Sequence, residues 1–243
     1  MLSSWQISKK TFSWLMKNKY ELLKVSLPLI FVLILMLFAK LMKSDLFLLL
    51  NFFSMWFFTV SIIQVHRKIL IDNQENQMLL FPKPEKTHIA YLIAFAALNF
   101  INSKIDPVME LILDKLMPAF PTWIEIILSL TFFILIICFF IHITVRLYFI
   151  FPYISINKKF DTLLMISKGF FWKIFNSTAL VYLPLIPIIL ILNFIFIQYF
   201  KDLFMFIYIL NFYVVLTLIN IHYSIITKEL MIHNSNYISD RKS

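Results

Sequence analysis

The stretch LLKVSLPLIFVLILMLFAKL, running from Leu22 to Leu41, decides the fold class of this chain. At a rise of about 1.5 Å per residue, about 20 helical residues cross a hydrocarbon core about 30 Å thick. Its only charges, Lys24 and Lys40, stand near its two ends. Apolar runs of similar reach follow at 46–63, 123–142, 178–200 and 203–221. In lipid each backbone polar group must be satisfied within the segment or a closed barrel, and no ten-residue alternation of a barrel strand is present. The reading is therefore all-α: a polytopic transmembrane helical bundle of about six spans, with amphipathic interfacial helices.

Composition agrees. The 243 residues are 61% hydrophobic with a mean hydropathy of +0.85, more apolar surface than a soluble chain of this size can bury. The whole chain, 1–243, reads as a single integral membrane domain. Its first apolar run is too long for an ordinary secretory h-region and no small-residue cleavage pattern follows it before Lys40, so it reads as a retained span. The one cysteine, Cys138, lies in an apolar run and reads as a packing residue. Small residues for close helix approach are scarce, with a single glycine, Gly169, so large side chains are expected to mesh between helices.

The six spans are placed at 22–41, 45–64, 87–103, 122–145, 176–198 and 203–225. The third is short and its end is interrupted by Asn99 and Asn102, so it reads as tilted or buried; without it, five spans would put the chain ends on opposite faces. Charge favours six. That layout gathers 17 of the 22 Lys and Arg on one face and leaves Lys40, Lys43, Lys104, Lys115 and Lys201 on the other. Because Lys and Arg in short loops favour the cytoplasmic side, both termini are predicted cytoplasmic. The net charge of +9 is then mostly a topology signal, and a basic skin that suits anionic headgroups.

Residues 5–18 and 161–176 read as amphipathic helices, lying in the interface or merging into the span that follows. A faint repeat links them. Ile7-Ser8-Lys9, Phe12, Trp14, Asn18 and Leu27-Pro28-Leu29-Ile30 are echoed by Ile166-Ser167-Lys168, Phe170, Trp172, Asn176 and Leu183-Pro184-Leu185-Ile186. Both copies start from the same side, so any repeat is parallel and not inverted. Pro28, Pro184 and Pro187 each remove a donor early in a span and favour a bend.

Residue chemistry points away from catalysis. No Asp, Glu, Lys, Arg or His stands at mid-span, where pumps and channels usually need a polar or charged group. Arg146, at the end of a long apolar run, reads as an anchor to carbonyls or to a lipid phosphate, with Lys158, Lys159 and Lys168 as further headgroup contacts. Asn193 and Asn211 read as interhelical hydrogen-bonding residues of the last two spans. The five histidines lack ligand spacing, so no metal is expected, and a single glycine excludes the phosphate-loop, dinucleotide and nucleophile-elbow motifs. No cofactor is implied. The lysines lack the pattern of a nucleic-acid module, which leaves membrane lipids and a membrane-protein partner as expected contacts.

The segment Arg146-Leu147, Pro152, Lys158-Lys159, Leu164, Ser167 and Trp172, with the opening Ser4-Trp5, Ile7-Ser8, Phe12 and Asn18, resembles the YciC-like family of bacterial inner-membrane proteins. The abundance of Phe, Ile, Lys and Asn resembles a member from a reduced-genome insect endosymbiont. The resemblance implies six spans, cytoplasmic ends and a cell inner-membrane location, and it carries over no catalytic residue. The expected role is structural or accessory in the envelope. A transporter of a small or lipidic substrate is the rival, and would need a central cavity lined by Ser54, Asn99, Asn193 or Asn211. An enzyme would need clustered acids or histidines, for which Asp106 with Glu125, or His66 with Asp72, are the candidates.

Overall fold

The computed structural model describes residues 2–42, 45–71, 78–80, 85–102, 107, 131, 148–156, 170–199 and 201–240, with side chains except at 99, 101, 102, 193, 196–199, 201–206 and 234–240. The predicted fourth span at 122–145 and most of the amphipathic segment at 161–176 lie outside the described residues. Every regular element among the described residues is helical: α1 Ser4–Leu41, α2 Leu46–Ile71, α3 Lys86–Asn102, α4 Ile150–Ser155, α5 Phe171–Tyr182, α6 Leu185–Tyr199 and α7 Lys201–Asp240. Among the described residues, four stretches are long and apolar enough to cross a membrane: Ser4–Leu41, Leu46–Ile71, Phe171–Leu192 and Ile207–His233.

α1 starts at a capping box, in which Ser3 Oγ accepts from the Gln6 amide and Gln6 Oε1 accepts from the Ser3 amide. It then runs unbroken for 38 residues, about 57 Å. The segment 5–18 is thus not a separate interfacial helix but the first half of the span helix. No Gly or Pro separates the two parts, and Asn18, a residue that often ends helices, instead donates to the Trp14 carbonyl at 2.8 Å. Measured from Leu22, the start of the span read from sequence, residues 4–21 add about 27 Å of helix. α7 is overlong in the same way, its 40 residues reaching about 60 Å where sequence predicted a span of 203–225.

The proline expectations divide. Pro28 lies inside α1 without ending it, and Ser61 of α2 donates to the neighbouring Val25 carbonyl at 2.7 Å. Pro184 breaks the predicted fifth span into α5 and α6. Pro187 falls in the first turn of α6, where a missing amide costs no intrahelical bond. The segment predicted as the third span is α3, 17 residues and about 25 Å, with Tyr91, Phe95 and Leu98 buried and Ile89, Ile93 and Phe100 exposed. Its apolar part, Lys86–Leu98, is shorter than the four candidate spans.

Named contacts fix the helix directions. Val25 meets Ser61 and Glu21 pairs with Lys68, so α1 and α2 are antiparallel. Ser54 meets Tyr213 and His66 meets Ser224, so α2 and α7 are parallel. Ser4 Oγ donates to the Lys173 carbonyl at 3.1 Å and Ser8 Oγ to the Ser177 carbonyl at 3.0 Å, so α1 and α5 run side by side in the same direction. The short α4 bridges α2, α3 and α7: Phe151 sits on Tyr91 at 4.7 Å, and Tyr223 contacts Phe149 at 5.1 Å and Tyr148 at 5.4 Å between ring centroids.

The core is filled by large side chains, among them Ile7, Leu33, Phe58, Ile63, Tyr91, Ile174, Ile221 and Ile226, all nearly or fully buried. Hydrophobic driving force between helices is absent in lipid, so this meshing supplies dispersion contact in place of close glycine approach. The α5–α6 span is the least covered, with Leu183, Ile186, Leu190 and Phe194 exposed.

Candidate functional site

Two features stand out where the bundle meets the basic side: a set of polar clusters sealed in the core, and an apolar groove on its flank. The polar clusters straddle α7. On one face His66 contacts Ser224 Oγ through Nδ1 and the Tyr91 hydroxyl through Nε2 at 3.1 Å, and that hydroxyl donates to Asn220 Oδ1 at 2.9 Å. On the other, His222 contacts Thr11 Oγ1 through Nδ1 at 2.9 Å and Ser177 Oγ through Nε2 at 3.3 Å. Both imidazoles are fully buried.

A neutral imidazole holds one proton, so it donates from one nitrogen and accepts at the other. Each ring here has a hydroxyl at both nitrogens. Ser224, Thr11 and Ser177 also lie within reach of a carbonyl of their own helix, at Asn220, Ile7 and Ile174. For each ring one hydroxyl must turn from its alternative acceptor towards the bare nitrogen. With Tyr91 donating to Asn220, the fully paired neutral arrangement has His66 Nε2–H donating to Tyr91 and Ser224 donating to Nδ1. These groups are consumed in holding α2, α3 and α7, or α1, α5 and α7, together.

A charged layer surrounds this end. Arg67 donates through Nη1 to Glu85 Oε1 at 3.0 Å and through Nε to the Ser155 carbonyl at 2.9 Å. The Arg67 guanidinium holds the Glu85 carboxyl at about 2, below its ordinary 4.5. Lys10 pairs with Glu229 at 2.7 Å, and Lys68 with Glu21.

The groove, about 370 Å³, lies between α1 and α7 with Leu185 at the head of α6 closing one side. α1 contributes Phe12, Leu15, Lys19, Leu22, Ser26, Leu29 and Leu33, a stripe at three- and four-residue spacing, with Ile30 beside it and the exposed Leu23 at its rim. α7 contributes Leu210, Tyr213, Val214, Thr217 and Leu218. Two polar groups in these walls bond internally. Ser54 Oγ donates to the Asn51 carbonyl, which leaves it to accept from the Tyr213 hydroxyl at 2.8 Å, and Thr217 Oγ1 donates to the Tyr213 carbonyl.

Of the residues singled out from sequence, Arg146, Lys158, Lys159 and Lys168 lie outside the described residues, as do Asp72, Asp106 and Glu125. Asn193 falls in α6, its side chain outside the description. Asn211 lines a hollow of about 160 Å³ with Ile189 of α6, so it faces the neighbouring span. Ser54, a proposed cavity residue, is fully buried against Tyr213 instead. Lys19, Tyr91, His222, Asn220 and Ser224 escaped the sequence reading as members of any site. The α1 stripe was visible in its spacing, but the His66 and His222 partners come from other helices and leave no local signal.

The fold and groove define an all-helical protein with several membrane-spanning candidate helices, a multi-pass plan in contact with lipid. No family model matches the chain, and no curated protein or solved structure matches it.

Proposed function

We propose that this is a bacterial inner-membrane accessory protein of the envelope, which organises lipid beside a closed bundle and carries out no catalysis of its own. Both termini face the cytoplasm in this reading, supported by the 17-of-22 bias of Lys and Arg. The likeness to the YciC-like family fits the same role. The observation that carries the proposal is the lateral groove: an apolar trough open on the flank of a bundle whose interior is occupied by packed side chains.

A transporter would spend its buried polar residues on a substrate path. Here His66, Tyr91, Asn220, Ser224, Thr11, His222 and Ser177 are engaged with one another in the core. The test is purification from native membrane in mild detergent, with the lipids and proteins that remain bound identified. Defined co-purifying lipid or a membrane partner is the expected result. Substrate-dependent uptake into vesicles, abolished by Ser54→Ala or Asn211→Ala, would overturn the proposal in favour of transport.

A further inference from the structure

We propose that the groove between α1 and α7 is a binding site for one anionic phospholipid, with an acyl chain in the trough and the phosphate on Lys19. This rests on the lipid-organising reading and names the lipid class. From Lys19 to Leu33 the α1 stripe descends about 21 Å, more than the roughly 15 Å depth of one leaflet's hydrocarbon. Over the whole α1 lining, Phe12 to Leu33 or about 31 Å, even the full empty volume of about 1040 Å³ gives a cross-section of only about 33 Å². A helix with side chains, at least about 10 Å across, needs about 80 Å². The trough therefore takes an extended hydrocarbon chain and is too narrow to seat a helix within it.

Charge selects the headgroup. Among the described residues of the groove lining Lys19 is the only side chain charged at neutral pH, and it stands three residues before Leu22, the start of the span read from sequence. Among the described residues Lys10 and Lys68 each have a glutamate, whereas the Lys19 ammonium has no carboxylate and lies 5.1 Å from the Tyr20 ring centroid. A cation at headgroup depth, above a wall that offers carbon, favours an anionic diacyl lipid over a zwitterionic one. One lysine near a membrane surface is worth about fivefold in binding, the equivalent of about 1 kcal/mol.

The experiment is native mass spectrometry of the full-length protein in mild detergent, with phosphatidylglycerol and phosphatidylcholine of identical chains supplied in equal amounts. One phosphatidylglycerol is expected to be retained in preference. Lys19→Gln should cut that preference about fivefold while total lipid is kept. Ser26→Trp, which sets an indole in the trough, should lower retention of both lipids at least tenfold, with Leu23→Trp at the exposed rim as substitute if it fails to fold. Inorganic phosphate should not displace the lipid; displacement by it would mark a free-phosphate site and overturn the proposal. Lipid retained without headgroup preference, or unchanged in both tryptophan variants, overturns this site yet leaves the lipid-organising reading standing. No retained lipid at all sinks both.

Discussion

Removing one oxygen, in Tyr91→Phe, tests whether the sealed polar cluster holds the bundle. The hydroxyl is fully buried, accepts from His66 Nε2 at 3.1 Å and donates to Asn220 Oδ1 at 2.9 Å. Its loss takes from the Asn220 oxygen its 2.9 Å donor, and the amide cannot turn to compensate because its nitrogen is committed to the Leu216 carbonyl. His66 adapts at less cost: its proton moves to Nδ1, which donates to Ser224, and Nε2 becomes an unpaired acceptor. Interhelical hydrogen bonds in membranes average only about 0.6 kcal/mol, so two lost bonds set a floor of about 1 kcal/mol. An unsatisfied buried amide oxygen raises the ceiling to about 3 kcal/mol. Asn220→Leu in the Tyr91→Phe background removes the stranded oxygen, so the double variant should be more stable than the sum of the single losses, by about 1 kcal/mol. Reversible unfolding in mixed micelles, followed by tyrosine and tryptophan fluorescence, measures all four proteins. A Tyr91→Phe protein as stable as the parent, or strictly additive losses, would refute the reasoning.

Packing in the C-terminal part of α1 should be unforgiving: Leu33, 1% exposed, replaced by Ala should cost about 2–5 kcal/mol in the same assay, and a loss under about 1 kcal/mol would mean the core there is loose. The Arg67–Glu85 contact should contribute stability that is complete above the ordinary carboxyl value of 4.5 and fades as pH falls towards about 2, because the folded-state value is the depressed one. Glu85→Gln should flatten that part of the stability-versus-pH curve, and an unaltered acid limb would show that other carboxylates set it. Reporter fusions after residue 75 and at the C-terminus should both be active on the cytoplasmic side. Activity of either on the outer side would reverse the proposed orientation.

Residue order alone carried the membrane class, the approximate helix positions and the basic side, because lipid acts on each segment separately. A run such as 22–41 is read by its own length and polarity, and lysines sort by loop whatever the helices do next. Even the stripe Phe12, Leu15, Lys19, Leu22, Ser26, Leu29 and Leu33 follows from the helical period. What the period cannot say is which neighbour covers a stripe. Only the folded arrangement decided that Tyr213 and Leu218 of α7 stand opposite this one and leave a trough. The structure likewise has Pro184 break its span, while Pro28 stays inside α1 with Ser61 donating to the nearby Val25 carbonyl. It also brought His66 to Ser224 and Tyr91, and His222 to Thr11 and Ser177. Those pairings join residues up to 211 positions apart, and a hydrogen bond depends on where two atoms meet in space, which no local pattern of the chain encodes.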